Sequence, residues 1–594
     1  MPTDSLARGP TDVPLTERTI GAHFAAMAAR QPAADALVSV HQGVRWSYAE
    51  LHAAARRLAS ALLRHGIAPG ERVGIWSHNG AEWLLLQLAT AQAGIVLVNI
   101  NPAYRTAELE YALNKVGCTA LVAMPRFKSS DYLGMLRELA PELGDCAPGM
   151  LRAARLPALR TVAWLDGAEA LRDAATGGAL LPAAADRPQE PGMLRFSDLL
   201  ARGDADDPRL DAVAAGLAPG DPVNIQFTSG TTGQPKGATL THRNILNNGF
   251  FIGECMRLGP EDRLCIPVPL YHCFGMVLGN LACLTHGSCI VYPGDGFDPL
   301  AVLQAVQAER CTGLHGVPTM FIAELDHPRF GEFDLSSLRT GIMAGSPCPI
   351  EVMKRVVERM HLSEITIAYG MTETSPVSCQ SHTDTPLDKR VATVGTVLPH
   401  LEVRIADPAT GAPVPRGRPG ELHTRGYSVM HGYWGDPERT REAVDAEGWM
   451  HTGDLATMDD EGYVAIVGRI KDMVIRGGEN VYPREIEEFL YRHPGVQDVQ
   501  VIGVPDAKYG EELCAWIVPR PGSGLTEDAV RDFCRGQIAH YKIPRHIRFV
   551  EGFPMTVTGK IQKFRMREQM RDELGGASQA PRPHPPERPT NAAP

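Results

Sequence analysis

The chain has 594 residues, of which 44% are hydrophobic and 21% are charged, a composition typical of a globular protein with more than one domain. Its formal net charge of −11 and the lack of a basic stripe argue against nucleic-acid binding. The twelve cysteines contain no CxxC pair, which favours free thiols in a reducing compartment over a zinc site. The N-terminus lacks the apolar core of a signal peptide and no apolar run is long enough to span a bilayer, so we expect a cytoplasmic protein.

Helix-like and strand-like segments alternate from about residue 17 to residue 125. Residues 48–66 place apolar side chains at helical spacing and end at a glycine, residues 72–76 are typical of a strand, and residues 81–94 are typical of a helix. This alternation predicts parallel strands covered by helices, which is an α/β fold. Residues 142–195 are rich in Ala, Leu, Arg and Pro, and we interpret them as a variable excursion.

The segment TSGTTGQPKG, residues 228–237, lies between two strand-like segments. Apolar side chains alternate along residues 223–227 as in a half-buried strand, and ATLTH follows, with Thr241 as the predicted cap of the next helix. The glycines let main-chain N–H groups face an anion, and hydroxyls and Lys236 add donors. A Walker A loop has Ser or Thr after its lysine and continues as a helix. The segment therefore predicts a strand–loop–strand phosphate site, with a plain Gly/Ser/Thr linker as the alternative.

Two later motifs carry acidic residues in turns. IAYGMTETSP, residues 367–376, ends an apolar strand in a glycine turn with Thr372 and Glu373. Open α/β sheets bind ligands beyond their strand ends, and a carboxylate beside a phosphate loop suits Mg²⁺; taken alone, Glu373 is more often a helix cap or a surface acid. In GWMHTGDL, residues 448–455, Asp454 is either an acceptor for a ribose diol or a simple turn residue.

The C-terminal third changes character. Between about residues 401 and 468 the pattern becomes all-β, and a compact α+β unit closes the chain. Basic and apolar residues alternate through residues 468–476 as in a plain amphipathic strand. Residues 482–496 and 526–540 are typical of helices, the first with proline at its start. Lys560 follows a glycine in a loop bounded by Pro and Thr, and its spacing alone indicates no role.

Together TSGTTGQPKG, YGMTE, TGD, GRIKD and the terminal GK resemble the adenylate-forming superfamily of acyl-CoA synthetases, luciferases and peptide-synthetase adenylation domains. The motifs follow the family's order and the resemblance covers about residues 20–570. PLYHCFG, AGSPCP and IRGGENVYPREIE are most similar to medium-chain fatty acyl-CoA ligases. The resemblance implies an α/β protein: a large N-terminal domain with mixed and parallel sheets, helices and a β-rich subdomain (1–471), a small mobile α+β domain (472–575), and a disordered tail (576–594).

The resemblance also implies ATP, Mg²⁺ and coenzyme A as cofactors and a small carboxylic acid as substrate. Tyr369 is expected to stack on adenine, Thr372 to contact the α-phosphate and Glu373 to hold Mg²⁺. Asp454 and Arg469 are expected to bind the ribose. The full set of cofactor-binding residues implied by the motifs is Thr228, Ser229, Gly230, Thr231, Thr232, Gly233, Lys236, Gly345, Ser346, Tyr369, Asp454, Arg469, Gly477 and Gly478.

Seven of the implied residues serve the chemistry and the domain motion. Lys560 is expected to bridge carboxylate and phosphate oxygens during adenylation, alongside Thr372 and Glu373 as catalytic residues. His272 matches a ring near the acyl entrance, and a buried core histidine is the alternative. Asp472 matches the family's hinge, and the pair at 477–478 flanks the pantetheine path.

Three other classes compete with an acid–CoA ligase. An ATP-hydrolysing kinase or NTPase is disfavoured by Pro235 before the lysine and by the missing Ser or Thr after it. A peptide-synthetase adenylation domain needs an acid for the amino group of its substrate, and PLYHCFG offers none. A non-catalytic nucleotide-binding protein would be expected to lack the motif acids and Lys560. Residues 271–279 and 314–322 carry no Arg, Lys, Asp or Glu, which favours an apolar acid, while aryl, branched and short-chain acids and a homodimer stay open.

Overall fold

A computed structural model of the chain describes residues 4–167, 171, 189–228, 234–346, 348–477, 479–506, 508–556 and 560–573. The chain divides into two compact units. The first contains Met1–Lys471 and Val557–Lys560, and the second contains Asp472–Thr556 and Ile561–Pro594. The tail that we expect to be disordered, 576–594, lies outside the described residues.

Two large sheets provide the framework of the first unit. The strands of the eight-stranded sheet, in spatial order, are Leu194–Arg195, Thr161–Trp164, Ala120–Ala123, Arg72–Trp76, Val96–Asn99, Pro222–Thr228, Lys236–Thr241 and Gly432–Tyr433. Those of the nine-stranded sheet are Thr396–Val397, Val377–Gln380, Glu364–Gly370, Thr340–Met343, Gly313–Gly316, Arg263–Cys265, Cys289–Tyr292, Asp35–Ser39 and Val44–Ser47. The central strands of both sheets are parallel, which confirms the predicted α/β fold.

The predicted β-rich subdomain is an antiparallel sheet of five strands. Its strands are Leu6–Arg8, Leu401–Ala406, Gly420–Gly426, Met450–Met458 and Val464–Arg469. The first of these was not predicted, because a three-residue segment is too short to show an alternating pattern. A separate two-stranded ribbon joins Arg126–Phe127 to Ser130–Asp131.

Helices surround the sheets where the sequence has apolar residues at helical spacing. Tyr48–Arg64 begins with a capping box between Ser47 and Glu50 and ends before Gly66, as predicted. The other α-helices described in the first unit are Ile20–Arg30, Ala81–Gln92, Thr106–Val116, Tyr132–Leu139, Phe196–Ala201, Pro208–Gly216, His242–Met256, Ala282–His286, Pro299–Glu309, Pro318–Leu325, Ile350–Arg359, Leu387–Ala392 and Pro437–Ala443. None of the described helices is long and apolar enough to cross a membrane.

The strand ahead of the glycine-rich loop is buried on both faces, so its interpretation as half-buried was wrong. Asn224 and Gln226, which occupy the polar positions of the alternation, are 1% and 2% exposed. Asn224 donates to Asn99 Oδ1 at 2.9 Å on the neighbouring strand. Polar side chains that bond to one another inside a sheet keep a period of two without indicating a solvent face.

The second unit is a small α+β structure, as the sequence pattern predicts. Its strands are Glu479–Val481, Val474–Arg476, Gly510–Pro519 and Val496–Asp506, with His546–Phe549 parallel to Gly510–Pro519. Its described helices are Pro483–Leu490, Glu527–Cys534 and Lys563–Glu573. The helix predicted over 526–540 is shorter than expected, since the chain turns at Gly536, whose φ is 72°.

The structure tests two further interpretations of the sequence. The plain amphipathic strand expected over 468–476 was wrong: one strand ends at Arg469, and another begins at Val474 in a different sheet. A turn without glycine or proline at its centre leaves no mark in the alternation. All twelve cysteines are free thiols, as predicted, and all except Cys146 are buried.

Candidate functional site

The flanks of the glycine-rich loop form an antiparallel pair in the eight-stranded sheet. Thr228 ends one strand directly opposite Lys236, which begins the next. Thr241 then accepts a hydrogen bond from the Asn244 N–H and caps the following helix, as predicted. The loop residues Ser229, Gly230, Thr231, Thr232 and Gly233 lie outside the described residues. The flanking strands confirm the strand–loop–strand arrangement and differ from a Walker A loop, which continues as a helix.

The Thr228 hydroxyl is one of the features that point to a ligand. Its Oγ1 atom is buried, and no described residue provides it with a hydrogen-bond partner. A buried hydroxyl without a partner costs free energy unless something else satisfies it. At the mouth of a glycine-rich loop, a phosphate oxygen would do so.

Lys236 is linked to Glu373 through a tyrosine that sequence analysis missed. The Lys236 ammonium donates to Tyr433 Oη at 3.0 Å and lies over the Tyr433 ring at 4.2 Å. The Tyr433 hydroxyl in turn donates to Glu373 Oε1 at 2.8 Å. Burial lowers the pKa of Lys236, while the charge of Glu373 acts in the opposite direction. Burial and then the charge of Glu373 raise the pKa of Tyr433, so the phenol stays protonated.

Thr372 and Glu373 lie in a 3₁₀ turn, Thr372–Thr374, that directly follows the strand Glu364–Gly370. Glu373 is 5% exposed, and its main-chain carbonyl accepts a hydrogen bond from the Met430 N–H at 2.9 Å. Glu373, from one motif, thus lies close to the strand that begins with Lys236, from another motif. A buried carboxylate beside a phosphate loop fits the ligand set of Mg²⁺, which is one or two carboxylates plus phosphate oxygens.

A second polar group surrounds Asp454. The Tyr369 hydroxyl donates to Asp454 Oδ2 at 2.7 Å, and Arg469 Nε donates to Oδ1 at 3.0 Å. Asp454 and Arg469 face each other across two antiparallel strands, and Tyr369 comes from the nine-stranded sheet. Burial and then the charge of Asp454 raise the pKa of Tyr369, which keeps its hydroxyl a donor. Three residues implied for adenosine binding are therefore in direct contact.

Gly345 and Ser346 follow the strand Thr340–Met343, which is parallel to the strand that ends near Tyr369. The φ of Gly345 is 89°, a value that disfavours any side chain. Carboxyl ends of neighbouring parallel strands meet at one edge of a sheet, where open α/β sheets bind ligands. The positions of these residues fit the adenine pocket that the resemblance implies.

His272 precedes an unusual helical segment. The π-helix Phe274–Leu281 begins two residues later, and π-helical turns are frequent at functional sites. Burial lowers the pKa of His272 to about 3, and the Lys560 charge acts in the same direction. The imidazole is therefore neutral at physiological pH, and it lies tilted by 39° against the Tyr271 ring, with centroids 4.3 Å apart.

A buried amide network that sequence analysis missed holds this segment. Asn99 Nδ2 donates to the Tyr271 carbonyl at 3.0 Å, and Gln226 Oε1 accepts from the Cys273 N–H at 3.1 Å. Asn224, on the same strand as Gln226, donates to Asn99 Oδ1. The strand before the glycine-rich loop thus also fixes the backbone around His272.

His315, the other histidine of the apolar segments, is a core residue. Its Nε2 lies 2.9 Å from the Leu278 carbonyl, and its Nδ1 accepts from the Ile342 N–H at 3.2 Å. These bonds place the proton on Nε2. Burial lowers the pKa of His315 to about 4, so the ring is neutral.

Lys560 belongs by its contacts to the first unit. The Lys560 side chain is exposed, but the protein around it displaces part of its water. This desolvation is the largest cause that lowers the pKa of Lys560, and the charge of Arg469 is the next. Glu373 and Asp454 act in the opposite direction. The lysine therefore lies in the electrostatic range of both acids described above.

The second unit contains the remaining predicted residues. Asp472 is its first residue, and Asp472 Oδ1 accepts a hydrogen bond from Arg567 Nη2 at 2.6 Å. Gly477 has a φ of 59°, which favours glycine, and Gly478 lies outside the described residues.

Glu421, His423 and His451 form another ionisable cluster, in the five-stranded sheet, with ligand-type atoms within 4.8 Å of one another. Arg404 Nε donates to His423 Nδ1 at 3.1 Å, so the neutral ring carries its proton on Nε2, which lies 3.1 Å from Glu421 Oε2. A metal would need that nitrogen free of its proton, so the arrangement favours an electrostatic cluster of the glutamate and the two histidines over a metal site. Glu421 Oε1 also accepts from the Gly453 N–H at 3.1 Å and thereby supports the TGD segment, which lies within the strand Met450–Met458 and not in a turn.

Comparison with known proteins agrees with this geometry. The AMP-binding enzyme family matches residues 24–434, and the AMP-binding enzyme C-terminal domain matches residues 485–560. The chain is 48% identical to YngI of Bacillus subtilis (strain 168), which is provisionally named an acyl-CoA synthetase, over 93% of this chain and 97% of that one. It is 44% identical to the mitochondrial medium-chain acyl-CoA ligase ACSF2 of Danio rerio, over 96% and 92% of the two chains.

Solved structures show the same similarity. ATP-bound MatB from Rhodopseudomonas palustris has a TM-score of 0.76 and 31% identity over 93% of this chain and 99% of its own. The anthranilate CoA ligase AuaEII in complex with anthranoyl-AMP has a TM-score of 0.81 and 25% identity over 95% and 99% of the two chains. The AMP-binding enzyme family matches more than half of the chain, and YngI is 48% identical over 93% of it. The chain therefore belongs to the AMP-binding enzyme family.

Proposed function

We propose that this chain converts medium-chain fatty acids to their CoA thioesters. The underlying activity is ATP-dependent acid–CoA ligation through an acyl-adenylate, with release of AMP and pyrophosphate. The site assignment rests on the surroundings of Glu373. One tyrosine hydroxyl lies between this buried acid and Lys236, the lysine of the proposed phosphate loop. The similarity to ligases named for medium-chain acids supports the choice of acid.

The chemistry explains why these residue types are needed. A carboxylate cannot transfer its acyl group directly, because oxide would have to leave. Attack of a carboxylate oxygen on the α-phosphorus of ATP forms a mixed anhydride and expels pyrophosphate. The CoA thiolate then attacks the acyl carbon, and AMP leaves with the electron pair of the broken C–O bond. Both steps bring anions together, so positive charge and oriented donors must offset the repulsion.

In this proposal the chain's own residues divide that work. Lys560 places a positive charge between the acid and the phosphate, Thr372 donates to the α-phosphate, and Lys236 with the loop donors holds the departing pyrophosphate. Mg²⁺, held by Glu373, would add positive charge to the phosphate oxygens when bound. Tyr369 with Gly345 and Ser346 takes the adenine, and Asp454 with Arg469 takes the ribose hydroxyls.

The second unit is proposed to rotate between the two half-reactions. Asp472 opens that unit and is proposed as the hinge. Lys560 is followed directly in the chain by Ile561 of the second unit, so rotation about Asp472 would carry Lys560 away after adenylation and present the pantetheine path at Gly477. The Asp472–Arg567 bond gives the hinge a fixed partner within its own unit.

The acyl site is proposed to be apolar. Its bordering segments, 271–279 and 314–322, contain no Arg, Lys, Asp or Glu. Burial keeps His272 neutral, and both ring nitrogens of His315 form hydrogen bonds with main-chain groups. A second charge on the substrate would have no partner there and would cost several kcal/mol to bury.

The test is kcat/KM for a homologous series of straight-chain acids from acetate to palmitate, measured with ATP and CoA. Each methylene buried should add about 0.8 kcal/mol, or roughly fourfold in kcat/KM, until the pocket ends. Octanoate and octanedioate make a matched pair of equal length, and the diacid should be poorer by about 100-fold or more. A flat profile, or a preference for acetate, an aryl acid or an amino acid, contradicts the medium-chain assignment.

A further inference from the structure

Tyr433 lies between Lys236 and Glu373 of the proposed nucleotide site, although it belongs to none of the motifs recognised in the sequence. It is on the two-residue strand Gly432–Tyr433, where it pairs with Ala238 beside the phosphate loop. The residue is 5% exposed. Its hydroxyl accepts from Lys236 and donates to Glu373, so it separates a buried cation from a buried anion.

The contacts exclude a purely space-filling role for this side chain. A phenylalanine ring would fill the same volume and would keep the cation–π contact with the Lys236 ammonium. Among the described residues, the Tyr433 hydroxyl is the recorded side-chain donor to Glu373 Oε1. Without it, the ammonium and the carboxylate would be free to form a direct ion pair in a site with little water, where their attraction is strong.

We propose that Tyr433 is a positioning residue for adenylation: its hydroxyl fixes the Glu373 carboxylate with one oxygen engaged and the other presented to the metal, and it keeps Lys236 unpaired for the nucleotide phosphate. This inference rests on the proposed function. When ATP binds, Lys236 exchanges its bond to Tyr433 for a phosphate oxygen. The bond from Tyr433 to Glu373 persists, so the carboxylate enters the metal complex already oriented.

The test measures metal binding directly. Mn²⁺ replaces Mg²⁺ and is titrated into the full chain by EPR, in the presence of saturating α,β-methylene-ATP, which cannot release pyrophosphate. Tyr433→Phe should weaken Mn²⁺ binding about tenfold, the loss expected for one hydrogen bond to a charged group. The same substitution made in a Glu373→Gln background should change Mn²⁺ affinity by less than about twofold, because the tyrosine acts through that carboxylate.

Tyr48→Phe is the matched control. Tyr48 is also fully buried, and its hydroxyl donates to the Ser288 carbonyl at 2.8 Å, far from the motifs in sequence. This variant should lose similar thermal stability and leave Mn²⁺ affinity unchanged. Failure of the wild-type chain to bind Mn²⁺ with the nucleotide would contradict the proposed function itself. Wild-type binding with no loss in Tyr433→Phe, or an equal loss in both backgrounds, overturns the inference about Tyr433.

Discussion

Replacing Asp454 by asparagine is the substitution whose effect follows most directly from the geometry. The aspartate accepts from two donors, the Tyr369 hydroxyl at 2.7 Å and Arg469 Nε at 3.0 Å. An amide of the same shape has one oxygen acceptor, and its NH₂ group is itself a donor. Asp454→Asn therefore removes one of the two acceptor oxygens and the negative charge offered to the ribose hydroxyls.

The expected loss of binding free energy depends on how exposed each partner of Asp454 is. The Arg469 side chain is 62% exposed, so its pairing contributes at most about 1 kcal/mol. The Asp454 side chain is 14% exposed, and hydrogen bonds to a charged, mostly buried acceptor contribute about 1.5–3 kcal/mol. If a ribose hydroxyl donates to this carboxylate, its loss should weaken nucleotide binding by about 10-fold to 100-fold.

Calorimetric titration with α,β-methylene-ATP and with its 2′,3′-dideoxy counterpart separates ribose recognition from general damage. The wild-type chain should prefer the ribose form, and Asp454→Asn should lose that preference. Asp459→Asn is a matched control in the turn after the same strand, Met450–Met458: Asp459 Oδ1 accepts from the main-chain N–H groups of Glu461 and Tyr463, and Oδ2 pairs with Lys389. An unchanged preference for ribose in Asp454→Asn would refute the assignment of Asp454.

Three further outcomes are expected. Lys560→Ala should nearly abolish pyrophosphate release from ATP and acid but still make thioester from a synthetic acyl-adenylate and CoA; equal loss of both half-reactions would contradict its role. Asp472→Pro, which fixes φ, should keep adenylation and lose thioester formation, whereas Asp472→Asn should keep both, and a proline variant active in both steps would place the hinge elsewhere. Burial raises the pKa of Asp498 to about 6, so its stability contribution falls as pH rises from about 4 to about 6 and stays low above that. Asp498→Asn should therefore stabilise the protein against urea by about 3 kcal/mol near pH 8 and by about half as much near pH 5, and equal gains at both would contradict burial as the cause.

Most of the fold could be predicted because its signals are local. The helix Tyr48–Arg64 carries its apolar stripe and capping box in sequence, and the strands around it alternate with helices in a parallel pattern. The buried character of the strand Pro222–Thr228 could not be predicted in the same way. Its polar residues bond to groups distant in the chain: Asn224 donates to Asn99, 125 residues away, and Gln226 accepts from the Cys273 N–H.

The same distinction holds for the site. Thr372 and Glu373 lie in a turn after a recognisable strand, and Asp454 lies within the strand Met450–Met458 just after Gly453, so their motifs locate them. Tyr433 was missed because its partners are 60 and 197 residues away, at Glu373 and Lys236. A buried hydroxyl between two charges has no local pattern, and only the meeting of separate strands reveals it.

The central claim is that the acid is activated by joining it to AMP. The most direct measurement supplies octanoate labelled with ¹⁸O in both carboxylate oxygens, together with ATP and CoA, and examines the products by mass spectrometry. Because the bridging oxygen of the acyl-adenylate leaves with AMP when CoA attacks, the account predicts one ¹⁸O atom in AMP and none in pyrophosphate. Label found in inorganic phosphate, together with ADP as the nucleotide product, would show an acyl-phosphate route and would contradict the account.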